Sequence, residues 1–290
     1  ALGAALVCFN YFRFAASEVV DEPWRPVAIS LVLGSGLIAA FAGPEIFNRT
    51  KDLMLPIEFA GAYLALCVTS LVGIAILLFL NIPSAAKKPS QASAANISLL
   101  AILSRPTVAT AILAAVVSQG VMILMMTPTP LAMNGFGFEQ SSASDVIRWH
   151  VVAMFAPSFV TGFFIKRFGA IRIVYIGLAL LCGSAAIAVA GIELHHFPGA
   201  VILLGIGWNF GCIGSTSILA SAGSDDEKAQ LQGVNDTMVA LAAVVCSFAS
   251  GWLVTSAGWS AIAWSIFPVL VIAAGGLIWL QARHDSVPKA

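Results

Sequence analysis

Charge is the scarcest property of this chain. Of its 290 residues only 10% are Asp, Glu, Lys or Arg, with 14 acids balanced by 14 bases. A soluble domain carries about a quarter. The zero balance excludes a basic nucleic-acid binder, and the shortage excludes both a disordered chain and an ordinary soluble enzyme. Cysteine is sparse too: Cys8, Cys67, Cys182, Cys212 and Cys246 all sit in apolar stretches. No CxxC or Cys/His spacing points to a metal or redox centre, so small helix-packing residues are expected there, with no metal and no cofactor. The sequence has no Gly-x-x-x-x-Gly-Lys-Ser/Thr for ATP and no HExxH, paired-aspartate or Ser/His constellation, which argues against an enzyme. A basic start with a small-residue cleavage site is also missing. The opening Ala1-Leu2-Gly3 therefore reads as a cut inside a helix, with more chain expected upstream.

What the chain has in excess is apolar surface: 59% of residues are hydrophobic and the mean hydropathy is +0.95. Those residues need a solvent other than water, and a lipid bilayer supplies it. A helix takes about 20 mostly apolar residues to cross the hydrocarbon core. That ruler gives nine segments, 1–20, 26–48, 57–81, 106–132, 146–165, 171–192, 198–221, 232–254 and 259–282. The runs are continuous rather than alternating, so barrel strands are excluded. The fold class is all-α and polytopic.

Basic residues set the orientation. One set of ends and loops holds ten: Arg25, Lys87, Lys88, Arg105, Lys166, Arg167, Arg172, Lys228, Arg283 and Lys289. The other holds three, Arg49, Lys51 and Arg148. The richer side is expected to be cytoplasmic, which places the C-terminus inside. The longest polar interruption, AAKKPSQASAAN within 83–105, reads as a basic cytoplasmic linker. Three spans in 1–82 precede it and six in 106–290 follow, so three further helices upstream would complete a six-plus-six plan.

Six helices, a basic cytoplasmic linker and six helices resembles the major facilitator superfamily of secondary transporters. GFFIKRFGAIR, Gly162 to Arg172, is similar to that superfamily's loop signature Gly-x-x-x-Asp-Arg-x-Gly-Arg-Lys/Arg. Gly162, Arg167 and Gly169 match in place, Arg172 supplies a nearby base, and Lys166 stands at the acidic position. Gly36 through Gly43-Pro44 resembles the Gly-Pro-ending packing motif of drug/proton antiporters, although Glu45-Ile46-Phe47 follows where that pattern has paired glycines. MMTPTPLAM, WHVVAMFAPSFVTG, GWNFGCIGST and QGVNDTMV are similar to a bacterial subgroup. The resemblance implies helices four to twelve of a twelve-helix inner-membrane transporter, acting as a monomer by alternating access. Proton-coupled efflux of a small organic solute is the first expectation. A nutrient symporter or facilitator, or a transport-incompetent shortened form, is the alternative.

The loop glycines would let the backbone turn tightly. Arg167 and Arg172 would pair with Asp225 and Asp226 in a cytoplasmic latch that holds an outward-open state. Asp236, one turn inside its span beside Asn235, asks for a partner. The superfamily's pseudo-symmetry puts that partner in the upstream loop signature, outside this chain. Polar groups at membrane depth are the solute or proton candidates. Gln119 and Asn209 lie near mid-span and could line a cavity or glue helices. Arg13 lies in an apolar helix and could attract an anion or join an ion pair. His150, at an outer interface beside Trp149, and Glu45, after the Gly-Pro break, could carry protons. Gly205, Gly207, Gly211 and Gly214 point to close helix approach, Pro128, Pro130 and Pro157 to kinks, and His195 and His196 to a solvated outer loop.

Overall fold

The computed structural model describes residues 12–57, 59–79, 98–223 and 227–286. Among these residues the regular elements are all helical. Eight helices are long and apolar enough to cross a bilayer: Glu22–Phe47, Ala60–Leu78, Pro106–Gly135, Ser141–Phe168, Ala170–Ala190, His196–Ser221, Lys228–Ser256 and Gly258–Arg283. They coincide with the second to ninth expected spans. The first, 1–20, falls mostly outside the described residues; within it, 12–18 is helical. The chain is a multi-pass membrane protein.

Packing groups the residues into two units, 1–34 with 94–290, and 35–93. This grouping differs in kind from the hydropathy boundaries at 82 and 105. The smaller unit holds α2 (Gly36–Thr50) and α3 (Ala60–Leu78), joined where Phe47 stacks on Phe59 at 6.1 Å. A Cβ on Gly43 would meet nothing within 4 Å, so the Gly36–Gly43–Pro44 stretch makes no close approach at Gly43 among the described residues.

The larger unit opens with a 3₁₀ turn, Glu22–Trp24, and α1 (Arg25–Gly34). Beyond the linker come α4 (Leu99–Leu103), α5 (Pro106–Met126), α6 (Thr129–Gly135), α7 (Gln140–Phe155) and α8 (Ser158–Phe168). Four long helices complete it: α9 (Ala170–Ala190), α10 (His196–Ser221), α11 (Lys228–Ser256) and α12 (Gly258–Ser286). Proline explains why two spans appear as helix pairs. Pro128 and Pro157 lack the N–H that would continue the ladder, and each falls at a break. Beside these breaks the Thr129 hydroxyl donates to the Met125 carbonyl and the Thr161 hydroxyl to that of Pro157, so each hydroxyl is satisfied by a carbonyl one turn back.

Helix α10 is the axle of the unit, packed against α9, α5, α7, α8 and α1. Its glycines allow this. A Cβ on Gly177 of α9 would stand 2.9 Å from the Gly207 carbonyl, and one on Gly207 equally close to the Gly177 carbonyl. The two backbones touch, as small residues in membrane helices permit. Around that contact Leu181, Ala185, Ala200, Val201, Leu204 and Met125 are fully enclosed.

Candidate functional site

Polar chemistry in the larger unit is gathered at two levels. The first is built on the 12–18 helical segment, the Glu22–Trp24 turn and α1, where they meet α8, α10 and α11. Arg13 reaches across to Asp236, Nη2 donating to Oδ1 at 3.0 Å, with the side chains 10% and 21% exposed. Asn235 donates to the same carboxylate oxygen at 3.0 Å, and the second Arg13 nitrogen points at the Cys212 sulfur at 3.8 Å. Asp236 lies eight residues into α11, about 12 Å along its axis. At that depth either charge alone would be costly, so each requires the other.

Beside this pair, α1 lies directly on α8. Ser30 Oγ accepts from the Gly162 amide at 3.0 Å and donates to the Ser158 carbonyl. A Cβ on Gly162 would fall 2.6 Å from the Pro26 carbonyl oxygen and 2.6 Å from Val27 Cα. Gly162 is therefore a contact glycine inside a helix, which corrects its expected role in a turn. Gly169 makes the turn, at φ +87°. Lys166, which replaces the signature's acid, sets its ammonium 3.2 Å from the centroid of the Trp24 ring, a cation–π contact. Arg167 lies 5.6 Å from the Phe168 ring and is exposed, as is Arg172. Asp225 and Asp226, their expected acids, lie outside the described residues.

Arg105 does find an acid. It forms a bidentate pair with Glu227, at 2.7 and 3.1 Å, that joins the start of α5 to the start of α11. Glu227's hydrogen bonds and charge raise the Arg105 pKa above its ordinary value, against a smaller opposing effect of burial. Where the Glu22–Trp24 turn and α1 face α5, α8, α9, α10 and α12 opens a cavity of about 410 Å³, lined by Glu22, Arg25, Thr110, Ser217 and Gln281 among others.

The second level is near mid-span. Gln119 Oε1 accepts from Trp208 Nε1 at 2.9 Å, and the Trp208 ring meets Phe155 edge-on at 6.2 Å. Gln119 is half-buried, and its amide nitrogen makes no hydrogen bond among the described residues. Asn209 is fully enclosed and fully used. It donates to the Met154 carbonyl at 2.7 Å and to Ser158 Oγ at 2.6 Å, while its oxygen accepts from Thr161 at 2.7 Å. Of the two roles expected for Asn209, helix glue fits and cavity lining does not.

Two further candidates are displaced from where the sequence put them. His150 is not interfacial: it is 1% exposed and wedged against α10, with Nδ1 2.7 Å from the Val201 carbonyl. That contact makes Nδ1 the protonated nitrogen and leaves Nε2 enclosed without a hydrogen-bond partner among the described residues. Glu45, in the smaller unit, bonds Arg49 one turn along the same helix at 2.6 Å, both side chains exposed. Asp236 also departs from expectation, since its partner Arg13 lies in this chain and not upstream of it.

Several contributors went unanticipated. Trp24, Ser30 and Glu227 carry no motif, and Ser158 and Trp208 lie in subgroup-like stretches that assign them no role. The one available signal was Lys166 at an acidic position, which asks for an electron-rich partner in place of a basic one.

Comparison with known proteins agrees with this architecture. The family model described as Major Facilitator Superfamily matches residues 122–290. The riboflavin transporter RfnT of Brucella anthropi is 39% identical over 261 residues, covering 90% of this chain and 66% of that protein. The uncharacterized MFS-type transporter YdeG of Bacillus subtilis is 28% identical over 293 residues, covering 93% and 66%. The chain thus spans about two thirds of the length of these relatives. A crystal structure of a bacterial homologue of the iron transporter ferroportin, in an outward-facing state, superposes with a TM-score of 0.68 at 14% identity, covering 92% of this chain and 66% of that one. With eight bilayer-length helices, a matching fold and a family model that spans more than half of its residues, the chain belongs to the Major Facilitator Superfamily.

Proposed function

We propose that this chain is the greater part of a secondary transporter that moves a small organic solute across a bacterial inner membrane by alternating access. Residues 1–82 supply helices four to six of the first bundle, 83–105 a cytoplasmic linker and 106–290 the second bundle. The transporter acts as a monomer with its C-terminus in the cytoplasm. The observation that carries this reading is the enclosed Arg13–Asp236 pair. It links a segment of the first bundle to α11 of the second and holds the cytoplasmic side shut. Lys166 on Trp24 and Gly162 on α1 close the same seam. Protonating Asp236 removes the charge that retains Arg13, so a proton arriving there loosens the seam, and this couples solute movement to a proton gradient.

For the solute, the half-buried Gln119 amide beside Trp208 and Phe155 favours a flat aromatic heterocycle with polar edges. The likeness to a riboflavin transporter supports the same class. The test is flux of riboflavin in proteoliposomes containing the transporter, with an imposed proton gradient. Flux should collapse with an uncoupler, Asp236→Asn should lose the gradient dependence, and Gln119→Ala should raise KM with little change in thermal stability. Flux indifferent to the uncoupler would remove proton coupling. Unchanged KM in Gln119→Ala would remove this solute site.

A further inference from the structure

The turn between α9 and α10 carries Glu193, His195 and His196, and neither the transport seam nor the mid-span cluster uses them. One ligand atom from each, a carboxylate oxygen and two imidazole nitrogens, lies within 4.8 Å of the other two. His195 Nδ1 is already 3.4 Å from Glu193 Oε2. The edge of a tetrahedron with ligands about 2.05 Å from a zinc ion is about 3.3 Å, so this pair needs almost no adjustment. The two imidazoles lie side by side, centroids 4.2 Å apart and planes tilted by 31°, so both rings sit at the same end of the turn. His196 is held in place. Its ring covers Gly191 so closely that a Cβ there would stand 2.5 Å from the ring, and its Nδ1 is enclosed with no hydrogen-bond partner among the described residues.

We propose that Glu193, His195 and His196 form a binding site for a borderline divalent cation, zinc being the type ion, with the remaining position open to water. Two imidazoles and one carboxylate suit zinc, nickel or copper and do not suit magnesium, which demands an octahedron of oxygens. Glu193 supplies the negative charge that offsets the positive end of α10, where His195 and His196 sit. The site is independent of the transport reading, because none of its residues contributes to the seam or to the Gln119 cluster.

The experiment is zinc titration of the untagged 290-residue chain in detergent, by calorimetry and by competition with a chromogenic chelator. One zinc per chain is expected that the double variant His195→Asn/His196→Asn lacks. Glu193→Gln should bind at least about ten-fold more weakly, since even outer-shell partners of a metal are worth that much. Millimolar magnesium should not displace the ion. Equal zinc binding by the double variant and the parent, with matching circular dichroism spectra, would overturn the assignment. So would no binding at all by the folded parent.

Discussion

Replacing Gly162 by Ala tests the seam at its tightest point. The added Cβ would stand 2.6 Å from two backbone atoms of α1 and 2.8 Å from Ser30 Cβ, whereas ordinary contact begins near 3.4 Å. Because two of the three obstacles are backbone, α1 and α8 must part by about 0.8 Å, the difference between those distances. A gap of that size forfeits a quarter to a half of each contact's ~0.1–0.2 kcal/mol, or about 0.5–2 kcal/mol over roughly twenty atom pairs. Weakening the two Ser30 hydrogen bonds, about 0.6 kcal/mol each within a membrane protein, brings the cost to about 1–3 kcal/mol. That is the usual range for an overpacked core. Alanine also gains about 1 kcal/mol of helix propensity over glycine. The matched control is Gly233→Ala in α11, where a Cβ would meet nothing within 4 Å. Unfolding of the detergent-solubilised chain by SDS, followed by circular dichroism, should place Gly162→Ala about 1–3 kcal/mol below Gly233→Ala. If the two variants unfold together, the α1–α8 contact is not the close approach inferred here.

Three other perturbations separate the remaining interactions. Asp236→Asn should cost about 3–5 kcal/mol by stranding Arg13, and the Arg13→Met/Asp236→Leu double variant should recover most of it; a double-mutant cycle without coupling would contradict the pairing. Asn209→Leu empties three interhelical hydrogen bonds and should cost about 2 kcal/mol with no salt dependence, read from the same unfolding curve. Glu227→Gln should cost at most about 1 kcal/mol, because Arg105 is 39% exposed, and salt should shrink that cost. Glu227 raises the Arg105 pKa, so this pair's contribution is complete below the unfolded arginine value and fades only as pH rises through the still higher folded one. Stability measured across neutral and mildly alkaline pH should therefore show no loss attributable to Arg105.

The fold was legible because it rests on one large effect. Apolar runs of bilayer length announce themselves wherever they occur, and eight of the nine expected spans coincide with long apolar helices. Proline breaks were legible for a similar reason: Pro128 and Pro157 each remove a donor whatever surrounds them. Partners were not legible. Arg13 and Asp236 stand 223 positions apart, and nothing in an evenly apolar helix says which face meets which neighbour. Gly162 shows the same gap. Its place in the loop signature was clear, but the signature cannot separate a glycine that turns a chain from one that admits another helix. His150 was misplaced because span boundaries carry an uncertainty of about a turn, enough to move a side chain from the interface into the core.

Under the proposed alternating-access cycle the contacts fall into two groups that behave differently. Arg13 with Asp236, Ser30 with Gly162 and Ser158, and Trp24 with Lys166 each join a residue before position 82 to one beyond 106. Asn209 with Met154, Ser158 and Thr161, Trp208 with Gln119, and Arg105 with Glu227 stay at or beyond 105. If the two bundles rock as bodies, the first group must break in every cycle and the second must persist. The chemistry suits that division. An ion pair that one proton can neutralise, a single hydroxyl bridge and a cation–π contact are each separable. The enclosed amide of Asn209, with all its hydrogen bonds inside one bundle, has no second set of partners to move to. The strongest of the separable contacts is Arg13–Asp236, so the barrier to opening should follow that pair more closely than any other in the seam.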